Sequence, residues 1–200
     1  MIQLPPTGSL PPHMGIMGTT IQDEIWVWTQ SQTIRNIKAT FFVTGKDLEN
    51  YPDEAPKIIA AGHQLGNHTY SHQRMVLKAY SFMKDEIEKT DSLLRKAGYK
   101  NEIMFRPPYG KRLFALPYYL EKTHRKTIMW DVEPESFTDI AIDSAKISEH
   151  VLTHTKPGSI ILLHIMYDGH ESIKALPEIV SGLKKQGFTF KTMTELLTYQ

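Results

Sequence analysis

Lys38-Ala39-Thr40-Phe41-Phe42-Val43-Thr44-Gly45 decides the fold. Its apolar run, Ala39 to Val43, is short and rich in β-branched and aromatic residues, and it stops at a Thr-Gly pair, so it reads as a buried strand. A helical segment follows at about Glu54 to Ala61, and Gln64 to Asn67 reads as a second strand. Lys78 to Ala97 then places Ile87, Leu93, Leu94 and Ala97 at near-helical spacing and ends before Gly98. The alternation repeats: Glu102 to Phe105, Thr127 to Trp130, Ser159 to Leu163 and Phe188 to Phe190 read as strands, separated by helices near 113–123, 143–154 and 171–184. Such alternation predicts an α/β fold, a parallel sheet with crossover helices, either closed as a barrel or open.

The chain's 200 residues suit one domain that buries roughly 70% of its unfolded surface. A formal charge of +1, with Lys and Arg scattered among acids, gives no electrostatic reason to expect nucleic acid. Zero cysteines exclude disulfides and thiolate metal sites without fixing the compartment. No apolar run reaches membrane-spanning length. The opening Met1 to Pro12 reads as irregular coil and has neither the cationic start nor the apolar core of a signal peptide, so the chain as given is expected to carry no export address. Residues 1–36 are read as an atypical N-terminal segment and 37–200 as the folded barrel unit.

In parallel sheets covered by helices, ligands sit beyond the carboxyl ends of the strands. His68 and His72 follow one expected strand, Arg106 to Tyr109 another, Asp131 and Glu133 a third, and His164 a fourth, so all four groups fall at the same end. His68 and His72 are four apart, a spacing that lets two imidazoles meet on one face of a helical turn and grip one metal ion. For His164 the alternative is a satisfied core histidine, and for Arg106 a simple carboxylate pair. Trp26 and Trp28 are read as core packing rather than a sugar-stacking surface. Lys84 to Lys96 reads as a solvated helix face on which Glu88, Lys89, Asp91 and Arg95 pair or meet water.

Lys38 to Gly45, His68-Thr69-Tyr70-Ser71-His72, Arg106-Pro107-Pro108-Tyr109-Gly110 and Ile161-Leu162-Leu163-His164 together resemble the successive motifs of the polysaccharide deacetylases. The resemblance runs from about Ile37 to the end. It implies a distorted (β/α) barrel of seven or eight parallel strands. It also implies metal-dependent hydrolysis of N-acetyl groups on cell-wall glycans, chitin-like oligomers or related sugars, in a family that is mostly extracytoplasmic. By that resemblance His68 and His72 hold a divalent metal such as Zn or Co, which activates water and polarises the acetyl carbonyl. Tyr109 offers its backbone N–H to the oxyanion and Arg106 orients the general base. Leu162 lines the acetyl pocket, and His164 protonates the departing amine. Trp130 and Phe137 would line the substrate.

Two departures stand against that pattern. The family carries Thr-Phe-Asp-Asp-Gly-Pro on its first strand, supplying a base and an anionic metal ligand, and this chain contains no Asp-Asp pair. The nearest imitation is Thr20-Ile21-Gln22-Asp23, with Asp23 as a stand-in metal ligand and Gln22 where the base belongs. Glutamine cannot take that proton, and only residues 24–38 would remain for a loop, a helix and a second loop. The reading preferred for Asp23 and Glu24 is that they are solvated or start a helix near Ile25. The second departure is Glu133-x-x-Ser136-Phe137 in place of Asp-x-x-Asp-Trp. Ser136 replaces the carboxylate expected to steady the His164 imidazolium, unless Asp131 or Glu133 compensates.

Three functions are compatible with this. One is a deacetylase-derived barrel that is inactive or nearly so and still holds acetylated glycan. Another is an active deacetylase that recruits Asp23, Asp131 or Glu133. The third is a non-catalytic carbohydrate-binding protein. The sharp boundary near Ile37 also suggests that the first 36 residues come from an altered start or a shifted reading frame. Translating the upstream DNA in the other two frames tests this, and absence of a Thr-Phe-Asp-Asp-type segment there would sink it.

Overall fold

A computed structural model describes residues 13–19, 37–164 and 170–199. Its sheet contains β1 (His13–Thr19), β2 (Thr40–Val43), β3 (Gln64–Asn67), β4 (Ile160–His164) and β5 (Thr189–Lys191), all parallel. β1 is central: Met17 to Thr19 pair with Thr40 to Phe42, Gly15 to Thr19 pair with Ile160 to His164, and His13 to Gly15 pair with Thr189 to Lys191. The barrel thus takes its central strand from before residue 37, inside the stretch that reads as atypical in the sequence.

Two further segments hold strand positions through single bridges, Asn67 to Phe105 and Phe105 to Thr127 on one side and Val132 to Ile161 on the other. They carry the ring from β3 round to β4, with Arg106 N–H donating to the Asn67 carbonyl (3.0 Å) and Leu162 N–H to the Val132 carbonyl (2.8 Å). The architecture is a distorted (β/α) barrel. Glu102 to Phe105 and Thr127 to Trp130 are therefore not regular strands as expected. Pro107 and Pro108 remove ladder donors directly after the first. Past the second, the Asp131 carboxylate takes the Ile160 N–H (2.6 Å) and the Ser159 hydroxyl (2.8 Å).

The helices are α1 (Gly45–Asn50), α2 (Glu54–Ala60), α3 (Tyr80–Lys96), α4 (Ala115–Lys122), α5 (Thr138–Ala141), α6 (Ser144–His154), α7 (His170–Lys185) and α8 (Met193–Leu196). All four residues of β2 are buried, which is why its sequence shows no alternation. Phe41 and Val43 belong to the main core with Leu65, Ile161, Leu163 and the α7 residues Leu176, Ile179 and Leu183. Phe42 points the other way, into a cluster with Met104, Ile128, Met193 and Leu196.

α8 packs against the amino ends of β2 and β3. Thr192 caps it in a reciprocal box with Glu195, Met193 N–H donates to Thr40 Oγ1 (2.9 Å), and Thr194 N–H donates to Gln64 Oε1 (3.0 Å). The carboxyl ends of the strands lie on the opposite side from α8.

Candidate functional site

The His68 to His72 segment is a loop, not the helical turn that the spacing suggests. Thr69 (φ 68°) and His72 (φ 57°) sit in the left-handed region, and that backbone, held from several sides, brings the two imidazoles to a centroid distance of 4.8 Å. Asn67 Oδ1 accepts Thr69 N–H (2.8 Å), Thr69 Oγ1 accepts His72 N–H (3.1 Å), and Glu86 of α3 accepts both the N–H and the hydroxyl of Ser71 (2.8 Å each). Asp91, expected on a solvated face, instead anchors the base of this loop by accepting from Asn67 Nδ2 (2.7 Å) and Arg125 (2.5 Å).

His68 is 4% exposed, and its Nδ1–H donates to the Arg106 carbonyl (2.7 Å), which leaves Nε2 as a bare lone pair. Burial, then the positive charge of Arg106, then His72 hold its pKa well below the usual histidine value. Burial also lowers His72, helped by His164 and Arg106. Both imidazoles are neutral, as a metal ligand must be.

Arg106 is 1% exposed, yet its guanidinium donates no hydrogen bond among the described residues, and Nη1 is buried without a partner. It lies over the rings of Phe42 (4.9 Å) and Trp130 (5.6 Å). Desolvation lowers its pKa to about 9, against the opposing fields of Glu133 and Glu135. It remains a cation at neutral pH. Beyond it, Tyr109 (φ 58°) packs its ring 5.1 Å from that of His72 under the Arg74 guanidinium.

On the opposite wall, Glu133 Oε2 accepts from Trp130 Nε1 (2.8 Å) and Ser136 Oγ (2.6 Å). The partner of His164 is Glu135, which sequence reading missed. Its Oε2 contacts His164 Nδ1, both its oxygens accept the His164 N–H (2.9 Å), and Ser172 Oγ donates to Oε1. The 3-10 turn Pro134–Ser136 swings this carboxylate inward where counting along a linear motif selects Ser136. The Pro-Glu-Ser tripeptide was the available signal.

His68, His72, Arg106, Tyr109, Trp130, Glu133, Leu162 and His164 surround one cavity of about 310 Å³. Two sequence candidates lie elsewhere. Asp131 is exposed and spent on Ser159 and Ile160, so it cannot support His164. Phe137 is half exposed and packs on His150 (5.3 Å) instead of forming a cavity wall. Asp23, with Trp26 and Trp28, falls outside the described residues. A second cavity, about 460 Å³, opens at the amino ends of the strands around Lys38, His63 and Gln64, away from these groups.

β1, whose Thr19 is level with His164 and Phe42, contains no acid between His13 and Thr19. The described residues also bring no third His, Asp or Glu to His68 and His72. Among the described residues, two neutral donors beside a cation fall short of a catalytic metal set, which usually has a third and commonly anionic protein ligand. What remains is a buried guanidinium, a bare imidazole acceptor and a carboxylate–histidine pair around a cavity.

The polysaccharide deacetylase family pattern matches residues 33–128. A peptidoglycan-N-acetylglucosamine deacetylase of Bacillus cereus is 34% identical over 164 residues, covering 80% of this chain and 58% of its own length. Another from the same organism is 30% identical over 166 residues, covering 82% and 76%. The solved structure of a peptidoglycan N-acetylglucosamine deacetylase in complex with a substituted N-hydroxybenzamide matches with a TM-score of 0.84 at 29% identity, over 92% of this chain and 87% of that one. The chain spans 58% and 61% of the length of two of the curated relatives it matches.

Proposed function

The chain belongs to the polysaccharide deacetylase family, and we propose that it keeps the glycan cavity of that family while hydrolysing acetyl groups very slowly or not at all. The family is generally metal-dependent, and its relatives here act on peptidoglycan. One observation carries the reading: Arg106, which by family resemblance orients the base, is buried, its Nη1 has no hydrogen-bond partner, and it holds no carboxylate among the described residues. The acid-free β1 supports it from the other side. Loss of a general base alone commonly costs about 10² to 10⁴ in rate.

The rest of the machinery favours retained binding. Leu162 is buried on the cavity wall, Trp130 donates to Glu133, and Glu135 holds Nδ1 of His164 beside the cavity. Glu135 thus answers, from a neighbouring position, for the carboxylate absent at Ser136.

The deciding measurement is metal content after dialysis against Zn²⁺ or Co²⁺, with a His68→Ala/His72→Ala variant as control, followed by acetate release from peptidoglycan and chitin oligomers. The expected result is sub-stoichiometric, weakly held metal and no acetate above the no-enzyme rate. Stoichiometric metal that disappears in the variant, with acetate release, would establish an active enzyme that has recruited another acid.

A further inference from the structure

We propose that His150 and His154 of α6 form a surface site for a transition-metal ion that prefers imidazole nitrogen, of the Cu²⁺, Ni²⁺ or Zn²⁺ class. Neither residue lines the cavity, and the site is independent of the glycan-holding reading. The chain carries the H-x-x-x-H spacing twice. His68 and His72 have it in a loop, beside the buried Arg106 guanidinium. His150-Val151-Leu152-Thr153-His154 has it within α6, where a step of four residues does place both side chains on one helix face. The two rings stack, with centroids 4.1 Å apart and planes 18° apart. A small closing turn of the rings brings two nitrogens to the separation that a pair of metal–nitrogen bonds of about 2.1 Å spans.

The surroundings of the pair suit an ion. His154 Nδ1–H donates to the His150 carbonyl (2.8 Å), which fixes the tautomer and leaves Nε2 as a lone pair, the arrangement that metal-ligating histidines usually have. Phe137 packs 5.3 Å from the His150 ring and limits its rotation, while His154 is exposed and open to an ion from solvent. Both residues lie towards the carboxyl end of an 11-residue helix, where the backbone dipole favours a cation. Lys146, one turn before His150, donates to the Asp139 carbonyl (3.2 Å). Among the described residues no third His, Asp or Glu joins the pair, so water completes the coordination. Ligation by imidazole without carboxylate selects against Mg²⁺ and Ca²⁺, which take oxygen ligands.

Calorimetric titration of the full chain at about pH 7.5, where ordinary imidazoles are neutral, tests it with Ni²⁺ and Mg²⁺ as probes. Ni²⁺ is expected to bind and Mg²⁺ not to compete. His150→Ala and His154→Ala are each expected to weaken Ni²⁺ binding at least about tenfold, whereas His68→Ala/His72→Ala leaves it in place. An unchanged Tm for His154→Ala separates loss of a ligand from loss of the fold. In the wild type, a sub-stoichiometric amount of paramagnetic Ni²⁺ is expected to broaden the imidazole NMR signals of His150 and His154 before those of any other histidine, which locates the ion without a variant. Ni²⁺ binding that survives both α6 variants, binding that vanishes with His68→Ala/His72→Ala, Mg²⁺ binding as tightly as Ni²⁺, or no Ni²⁺ binding would each overturn the proposal. Metal that stays with the His68→Ala/His72→Ala chain belongs to α6, so this outcome and the metal content of the cavity are read separately.

Discussion

His63 sits buried just before β3 and accepts the Ala39 N–H at Nδ1 (3.3 Å), so the folded protein needs its imidazole neutral. Burial, with Lys38 nearby, pushes its pKa down to about 4. The unfolded chain takes up this proton near pH 6.5 and the folded one only near 4, so the contribution is complete above pH 6.5 and lost as pH falls toward 4. The full window is worth about 3 kcal/mol. Melting temperature followed from pH 7 to 4 is expected to fall more steeply for the wild type than for His63→Gln; parallel curves would show that His63 is not the source. At this scale the sequence pointed to most of the residues around the cavity, because motif residues at strand ends converge by topology. It did not reveal that Asp131 turns outward or that Glu135 turns in. The 3-10 turn Pro134–Ser136 brings Glu135 in, and the bonds from Ser159 and Ile160 hold Asp131 away; linear spacing carries no record of either.

β3 illustrates how an element can be shaped by the site it supports. A Cβ on Gly66 would come within 2.5 Å of the Phe42 ring, the same ring that lies 4.9 Å from the Arg106 guanidinium. Gly66→Ala is therefore expected to push Phe42 off its packing and destabilise the fold by about 1–3 kcal/mol. Denaturant unfolding measures the cost, and an unchanged midpoint would mean that Phe42 yields freely. At the amino ends of the strands, Thr192→Ala removes one half of the α8 capping box and is expected to cost about 1 kcal/mol by the same measurement. The long helices were legible because each buries a periodic stripe, and β2 because it is apolar throughout. Residues 102–105 and 127–130 misled because apolar content predicts burial, whereas a regular ladder also needs free backbone partners.

For the molecule as a whole, β1 is the strand that the sequence hid. His13 to Thr19 contains four small or polar residues and no long apolar run, yet it pairs with β2, β4 and β5. Period and composition reported a weak segment; its partners lie too far along the chain for local pattern to register. Deleting residues 1–19 is expected to leave β2 and β4 with open edges and to abolish cooperative thermal unfolding. A truncated chain that still melts in one sharp transition would show that the barrel closes without β1.

The same pairing governs how the protein is made. His13 meets Thr189 and Thr19 meets His164, contacts that span 176 and 145 residues of chain. β1 precedes its partners in the chain and must wait, unpaired on one side, until β4 and β5 are available. Loop closure over such distances makes folding slow, and an exposed strand edge in the interval invites pairing with another copy. The barrel's centre is thus its last element to be secured, and its solubility during biosynthesis is set by how long that edge stays open.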